Sequence, residues 1–244
     1  MAKALFITGT GTDVGKTFVT GLILKKLKEN KLHTAYYKAA MSGNDRGPDQ
    51  RLIPGDALYV QKVSGISQPL DTMCPYIYET AVSPHLASRL EGGPVCMETV
   101  EAGFKELCSM YDYITMEGSG GILCPICFDG EEIWLEDIIQ RFRLPSLIVA
   151  DAGLGTINSV VLTAEYMRSR GLPVKGIIFN HFHPGNVMEE DNLRMCEYRT
   201  GLKVLACVQD GDTDLAVDPG LLASLYAPAG EFTYESLISK GEAR

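Results

Sequence analysis

No apolar run in this chain is long enough to cross a bilayer, and its first hydrophobic stretch, Ala4-Leu5-Phe6-Ile7, ends before Gly9. A membrane span is therefore not expected, nor a targeting segment ahead of Gly9, and the cytoplasm is the expected compartment. Positive charge is scarce: 22 Lys and Arg stand against 31 Asp and Glu, a net of -9, which argues against a nucleic-acid-binding surface. The seven cysteines are an odd number without framework spacing, so a disulfide scaffold is excluded as the source of stability. Cys124-Pro125-Ile126-Cys127 is a lone C-x-x-C. Zinc would need two more ligands, for which His181 and His183 are the available source, and a thioredoxin-like role would need a strand-then-helix setting that is missing. Buried or loop thiols are the plainer expectation. Internal repeats, low-complexity tracts and linkers are also missing. With 244 residues, 45% hydrophobic and 22% charged, residues 1–244 read as one soluble globular domain with room for a real core.

What is present is organised around Gly9-Thr10-Gly11-Thr12-Asp13-Val14-Gly15-Lys16-Thr17. A short apolar strand precedes it, and Phe18 to Leu27 follows with apolar residues at helical spacing, ending at Glu29-Asn30. Strand, glycine-rich turn and helix are the context of a phosphate-binding loop. Glycines let successive N–H groups point inward, and the new helix adds the positive end of its dipole. Lys16 would reach the outer phosphates and the Thr17 hydroxyl a Mg²⁺ ion. In the usual register four residues separate the first glycine from Gly-Lys; here that position is Thr10, and Gly9 lies one residue further back. The competing reading is a glycine-rich turn with a chance Gly-Lys-Thr.

Strand and helix patterns alternate from there. Thr34 to Tyr37 reads as a strand with Lys38 at its end, followed by a polar loop from Met41 to Gln50 that begins with Ser42. A lysine there is solvated in most proteins, but ligands of open parallel sheets bind at the carboxyl ends of strands. Pro54-Gly55-Asp56 opens a helix, with Asp56 as cap or first-turn acid, and 69–80 reads as irregular. Ser83-Pro84-His85 starts a short helix, and 97–110 forms another. An apolar strand ends at Glu117, before Gly118-Ser119-Gly120-Gly121; an acid there either binds Mg²⁺ or merely bonds to backbone. Helix 134–143, strand 146–151, a helix from about 156 to 170, strand 174–180, helix 187–199 and strand 203–208 complete the series, with a final helix expected near Phe232 to Lys240. The expected fold is α/β, a P-loop NTPase-type single domain with a mostly parallel sheet and helices on both faces.

The letters also separate P-loop subclasses. The Asn-Lys-x-Asp base-reading motif of regulatory GTPases is missing, and Gly11 stands where partition-type ATPases carry an extra lysine. Thr8 to Thr17 resembles the P-loop of ATP-dependent dethiobiotin synthetases. Tyr37-Lys38-Ala39-Ala40-Met41-Ser42-Gly43 resembles that family's lysine-to-serine loop, and Gly55-Asp56-Ala57-Leu58 its acidic helix start. Ser83-Pro84-His85, Glu117 to Gly121, Gly155-Thr156-Ile157-Asn158 and Asn180 continue the resemblance in the same order. Asp13 stands where a glutamate is common, Ala39 replaces a proline, His181 replaces a frequent aspartate, and 208–210 does not match the family's late nucleotide loop.

The resemblance implies an enzyme that uses ATP and CO₂ to convert 7,8-diaminononanoate into dethiobiotin, with Mg²⁺ as cofactor. One amine takes up CO₂ (or bicarbonate-derived CO₂) as a carbamate, the carbamate attacks the γ-phosphate, and the second amine closes the ring with loss of phosphate. It further implies Lys16, Lys38 and Thr12 at the reaction centre, and Thr17, Asp56 and Glu117 as metal ligands. Asp13, Val14, Gly15, Lys16, Thr17, Phe18, Glu117, Gly118, Ser119, Gly120 and Asn180 would hold the nucleotide. Thr12 and Ser42 would orient the carbamate. Gly155, Thr156 and Asn158 would hold the substrate carboxylate from the neighbouring subunit of a homodimer. A cobyrinate-type amide ligase, a small-metabolite kinase and a nucleotide-dependent switch that binds partners remain the alternatives.

Overall fold

The structure, a computed structural model, describes residues 1–229. The strands are β1 (Lys3–Gly9), β2 (Thr34–Lys38), β3 (Ala40–Met41), β4 (Tyr76–Ile77), β5 (Tyr113–Glu117), β6 (Pro125–Cys127), β7 (Ile133–Trp134), β8 (Ser146–Asp151), β9 (Val174–Asn180), β10 (Val204–Cys207) and β11 (Ala227–Pro228). The helices are α1 (Lys16–Glu29), α2 (Gly55–Ser64), α3 (Pro84–Glu91), α4 (Met97–Met110), α5 (Leu135–Phe142), α6 (Thr156–Ser169), α7 (Val187–Thr200) and α8 (Pro219–Ser224).

The central sheet runs β10-β9-β8-β1-β5-β2, all parallel. Strands buried on both faces need apolar residues at every position, and side-chain alternation then sorts them into two layers. Phe6, Tyr37, Ile114, Met116, Ile148 and Phe179 point to one core, which includes Val100 and Phe104 of α4, Phe142 of α5 and Met167 of α6. Leu5, Ile7, Leu147, Val149 and Ile178 point to the other, against Val19, Leu22 and Ile23 of α1. The same alternation puts the strand-terminal residues Lys38, Glu117, Asp151 and Asn180 on the α1 side, at the carboxyl edge. This is the edge at which α1 begins.

β8 pairs with β1 only from Phe6 onward, which leaves the start of β1 with a free edge. β11 fills it in antiparallel fashion, Lys3 opposite Pro228 and Ala4 opposite Ala227. Neither β11 nor α8 was legible as an element, because each is short and lacks a periodic pattern. The 69–80 stretch is more ordered than expected: it holds a 3-10 turn over Leu70–Thr72 and then β4, which pairs with β3. Trp134 lies in β7 rather than in the following helix. The expected helix near 232–240 falls outside the described residues.

A zinc site on the C-x-x-C is not formed. Cys127 is buried in the core, while Cys124, just before β6, is half-buried against the same core and beside Gly120. His181 and His183 are engaged by Asp151 and Glu189. Among the described residues the one Cys/Asp/Glu/His group close enough to hold a metal is Cys96, Glu98 and Glu131, at the surface.

β2 is an edge strand, and its outer side is closed by a side chain. The buried Gln68 accepts from the Tyr36 N–H at 2.7 Å and donates to the Tyr36 carbonyl at 3.0 Å. One amide thus replaces a ladder rung at the position whose side chain reaches into the site. Gln68→Ala leaves both backbone groups buried and unpaired, and is expected to lower unfolding stability by about 2–3 kcal/mol in urea titrations. A loss under about 0.5 kcal/mol would show that water restores the rung.

Candidate active site

The turn between β1 and α1 takes the shape its sequence requires. Asp13 and Gly15 both have positive φ, 60° and 86°, conformations that Asp tolerates and Gly prefers. A Cβ on Gly15 would come within 2.0 Å of the Asn180 amide nitrogen, so the position is closed to any other residue by sterics as well. Among the described residues no side chain caps α1 and its first turn holds no acid, so its leading N–H groups are available to an anion. The Lys16 ammonium bonds to the Gly11 carbonyl at 2.7 Å, across its own loop. Burial first, and the neighbouring Lys38 second, lower the Lys16 pKa below that of an ordinary lysine.

Lys38 and Glu117 are register partners at the ends of β2 and β5, which is why they meet. The Lys38 ammonium lies 2.8 Å from Glu117 Oε1 and 2.7 Å from Asp56 Oδ2 in the first turn of α2. Lys38 is 5% exposed and Glu117 1%. Burial opposes the Lys38 charge, but the carboxylates of Glu117 and Asp56 outweigh it and raise its pKa. Thr17 donates its hydroxyl to the same Glu117 Oε1 at 2.9 Å, and the buried Tyr36 hydroxyl reaches Oε2 at 3.2 Å. Burial, then Glu117, hold the Tyr36 pKa well above its usual value, so it stays a neutral donor. Asp56 makes no cap bond; its work is to face Lys38.

A cleft of about 430 Å³ opens over this cluster. Thr12, Asp13, Gly15, Lys16, Thr17, Lys38, Ser42, Asp56, Glu117, Ser119 and Gly120 all line it, together with Met41. Ser42 donates to the Val82 carbonyl and Ser119 to the Ala40 carbonyl, bonds that tie the flanking loops together. Cys124 lies close by; burial pushes its thiol up to about 11, against the pull of Lys16 and Lys38. Gly118 and Phe18 do not reach the cleft: a Cβ on Gly118 would strike Leu135 and Phe6, and Phe18 packs on the α1-side core.

The α6 start is not part of this cleft. It borders a separate cavity of about 260 Å³, lined by Thr10 and Val14 on the P-loop side and by Asp151, Gly155, Thr156 and Ser159 on the other. Gly155 is left-handed and exposed, Asn158 is exposed, and the buried Thr156 hydroxyl has no hydrogen-bond partner among the described residues. Asn180 lies against the P-loop, its amide nitrogen 3.3 Å from the Val14 carbonyl. Next to it, His181 Nδ1 lies 2.8 Å from Asp151 Oδ2. Burial would raise the Asp151 pKa, but the His181 bond and the Gly153 N–H together lower it. Tyr36, Gln68, Asp151 and the side-chain role of His181 were missed in the sequence. Tyr36 had a usable signal, since it lies two residues before Lys38 and must share its face.

Among solved structures, the fold is similar to the MinC:MinD cell division complex of Aquifex aeolicus (TM-score 0.53, 14% identity, 86% of this chain and 82% of that one). It is also similar to a ParA family ATPase from Chlorobium tepidum (TM-score 0.52, 13% identity, 86% and 84%). At such identities the likeness establishes the P-loop α/β architecture and nothing beyond it. A family model described as an AAA domain matches residues 3–213. Sequence relatives are far nearer. The chain is 49% identical over 212 residues to the ATP-dependent dethiobiotin synthetase BioD of Brachyspira hyodysenteriae, covering 86% of this chain and 94% of that protein. It is 44% identical over 212 residues to the Clostridium botulinum protein of the same name, covering 87% and 93%. With the P-loop and the Lys38–Glu117–Asp56 cluster lying in one cleft, and relatives of this closeness along nearly their whole length, the chain belongs to the family of ATP-dependent dethiobiotin synthetases.

Proposed function

We propose that the chain carboxylates 7,8-diaminononanoate with CO₂ and closes its cyclic urea at the expense of ATP, forming dethiobiotin. The observation that supports this best is the pair of buried ammonium groups, Lys16 and Lys38, over one cleft bordered by the Thr12 and Ser42 hydroxyls. The reaction must bring a carbamate oxygen up to a triphosphate, and both carry negative charge. Fixed cations in a site shielded from water lower that cost most effectively.

One amine adds to CO₂ and loses a proton, giving the carbamate. Thr12 and Ser42 orient it by hydrogen bonds, and Lys38 offsets the charge on it. The carbamate oxygen attacks the γ-phosphorus and ADP leaves, its developing charge balanced by Lys16 and by the N–H groups of the loop. The second amine then attacks the carbamoyl carbon of the mixed anhydride and expels phosphate. None of these steps needs a covalent enzyme intermediate; positioning supplies the acceleration.

Thr17, Asp56 and Glu117 are hard oxygen donors, a set that fits Mg²⁺; Asp56 and Glu117 already flank a cation, the Lys38 ammonium, and Thr17 bonds to Glu117. Mg²⁺ bound there would neutralise charge on the β- and γ-phosphates. Asn180 would bond to the adenine edge, with its carbonyl oxygen buried and free of hydrogen bonds among the described residues.

The α6 start, with Gly155, Thr156 and Asn158, would receive the distal carboxylate of substrate bound to the partner subunit of a homodimer. Leu154 at 92% exposure, with Leu162 and Leu123 also exposed, supports a surface of this chain that a second copy covers. No helix among the described residues is long and apolar enough to cross a membrane, and we assign the enzyme to the cytoplasm.

Lys38→Gln is expected to lower turnover at saturating ATP and diamine by about 10²–10³-fold, with its fold checked by circular dichroism. Turnover within twofold of the parent would remove Lys38 from the reaction centre. Gly15→Ala should abolish ATP binding in calorimetry, because both φ and the Asn180 contact forbid a methyl group; parent-like affinity would mean that the loop is not the phosphate site. Light scattering should give twice the 26.6 kDa chain mass. A fully active species at the mass of one chain would exclude a shared site.

A further inference from the structure

Asn180 carries the nucleotide assignment, yet an asparagine amide can present either an acceptor or a donor, and these select opposite bases. The surrounding residues settle which. The Val14 carbonyl, 3.3 Å away, can only accept, so the amide group facing it is the NH₂. The same nitrogen lies 3.1 Å from His181 Nε2. His181 Nδ1 faces the Asp151 carboxylate at 2.8 Å, and a carboxylate only accepts, so Nδ1 carries the proton. In the neutral ring Nε2 is then bare, and it too calls for a donor. Asp151 is itself fixed, because its other oxygen accepts the Gly153 N–H at 2.8 Å. The remaining charged group near Nε2, Asp210, is 3.8 Å away and outside hydrogen-bond reach. The amide oxygen is left buried, with no partner among the described residues.

We propose that Asp151 and His181 act in series as positioning residues that hold the Asn180 amide with its oxygen free, so that the site selects a base bearing an amino group over one bearing an oxo group. This rests on the reading that Asn180 meets the base. An adenine 6-amino group would donate to Oδ1, whereas the 6-oxo group of hypoxanthine would set two acceptors against each other. Asp151 and Asn180 are register partners at the ends of β8 and β9, so the sheet itself brings the three residues together. His181 holds its ring in place from a left-handed backbone, φ 53°, which Asn also adopts readily and β-branched residues do not.

The test compares ATP with ITP, which differ at this group, by calorimetry without the diamine. The parent should bind ATP about five- to tenfold more tightly, the worth of one neutral hydrogen bond. Asn180→Ala should bring the ratio close to one. In Asp151→Asn, the amide oxygen can keep the Gly153 N–H, and its NH₂ then faces Nδ1. The ring proton moves to Nε2, Asn180 then faces a donor there and an acceptor in the Val14 carbonyl, so neither amide orientation satisfies both, and the ratio should fall towards one. His181→Asn should also reduce it, by removing the acceptor without straining the backbone. Nitrogen NMR of His181 reads the relay directly: Nδ1 protonated in the parent, Nε2 protonated in Asp151→Asn. An ATP-to-ITP ratio near one in the parent, or one unaffected by Asn180→Ala, would overturn the base contact. A ratio that Asn180→Ala abolishes but Asp151→Asn preserves, or a protonated Nε2 in the parent, would leave the contact standing and overturn the relay.

Discussion

The site depends on one buried ammonium group held between two carboxylates. Lys38, almost wholly enclosed, would be costly to keep charged on its own, since burial removes the hydration of an ion. Glu117, fully enclosed beside it, has the same difficulty with opposite sign. Each makes the other tenable, and Asp56, Thr17 and Tyr36 complete their hydrogen bonds. The arrangement is high in electrostatic content and low in net charge, the condition in which a bound ion or phosphate can exchange partners with little rearrangement of backbone. Deleting Glu117 leaves the buried Tyr36 hydroxyl unpaired among the described residues and Lys38 with Asp56 alone.

The fold supplies this arrangement through register alone. Parallel pairing of β2 with β5 sets Lys38 opposite Glu117, and pairing of β8 with β9 sets Asp151 opposite Asn180. Because β1 lies between these two pairs and ends in the phosphate loop, the sheet presents a charge cluster on one side of the loop and a hydrogen-bond relay on the other. A one-residue slip in either pairing would turn the polar side chain into the opposite core. Gln68, which closes the outer edge of β2, therefore supports the register that sets Lys38 opposite Glu117.

Most of the architecture was legible because buried parallel strands and amphipathic helices write distinct periods into the letters: α4 and β9 fall where their patterns place them, at Met97–Met110 and Val174–Asn180. Lys38, Asp56 and Glu117 were legible as strand-end and helix-start residues, and with the P-loop and Ser42 they line one cleft. Less legible were residues whose role depends on a partner distant in sequence. Nothing local marks Gln68 as a rung for β2, or joins Asp151 to His181 across 30 positions. The C-x-x-C thiols, expected to be buried or in a loop, fall that way: Cys127 is buried and Cys124 lies just before β6. Short elements such as β11 form only because β1 has an unpaired end, a fact of tertiary structure.

For a cluster proposed to bring a carbamate up to a triphosphate, the most direct measurement is phosphate release from ATP and Mg²⁺ with and without 7,8-diaminononanoate plus bicarbonate, with the organic product weighed by mass spectrometry. Release that depends on the diamine, with a product heavier by one carbonyl and lacking two hydrogens, is the expected result. Release at the same rate without the diamine, and no new organic product, would contradict it.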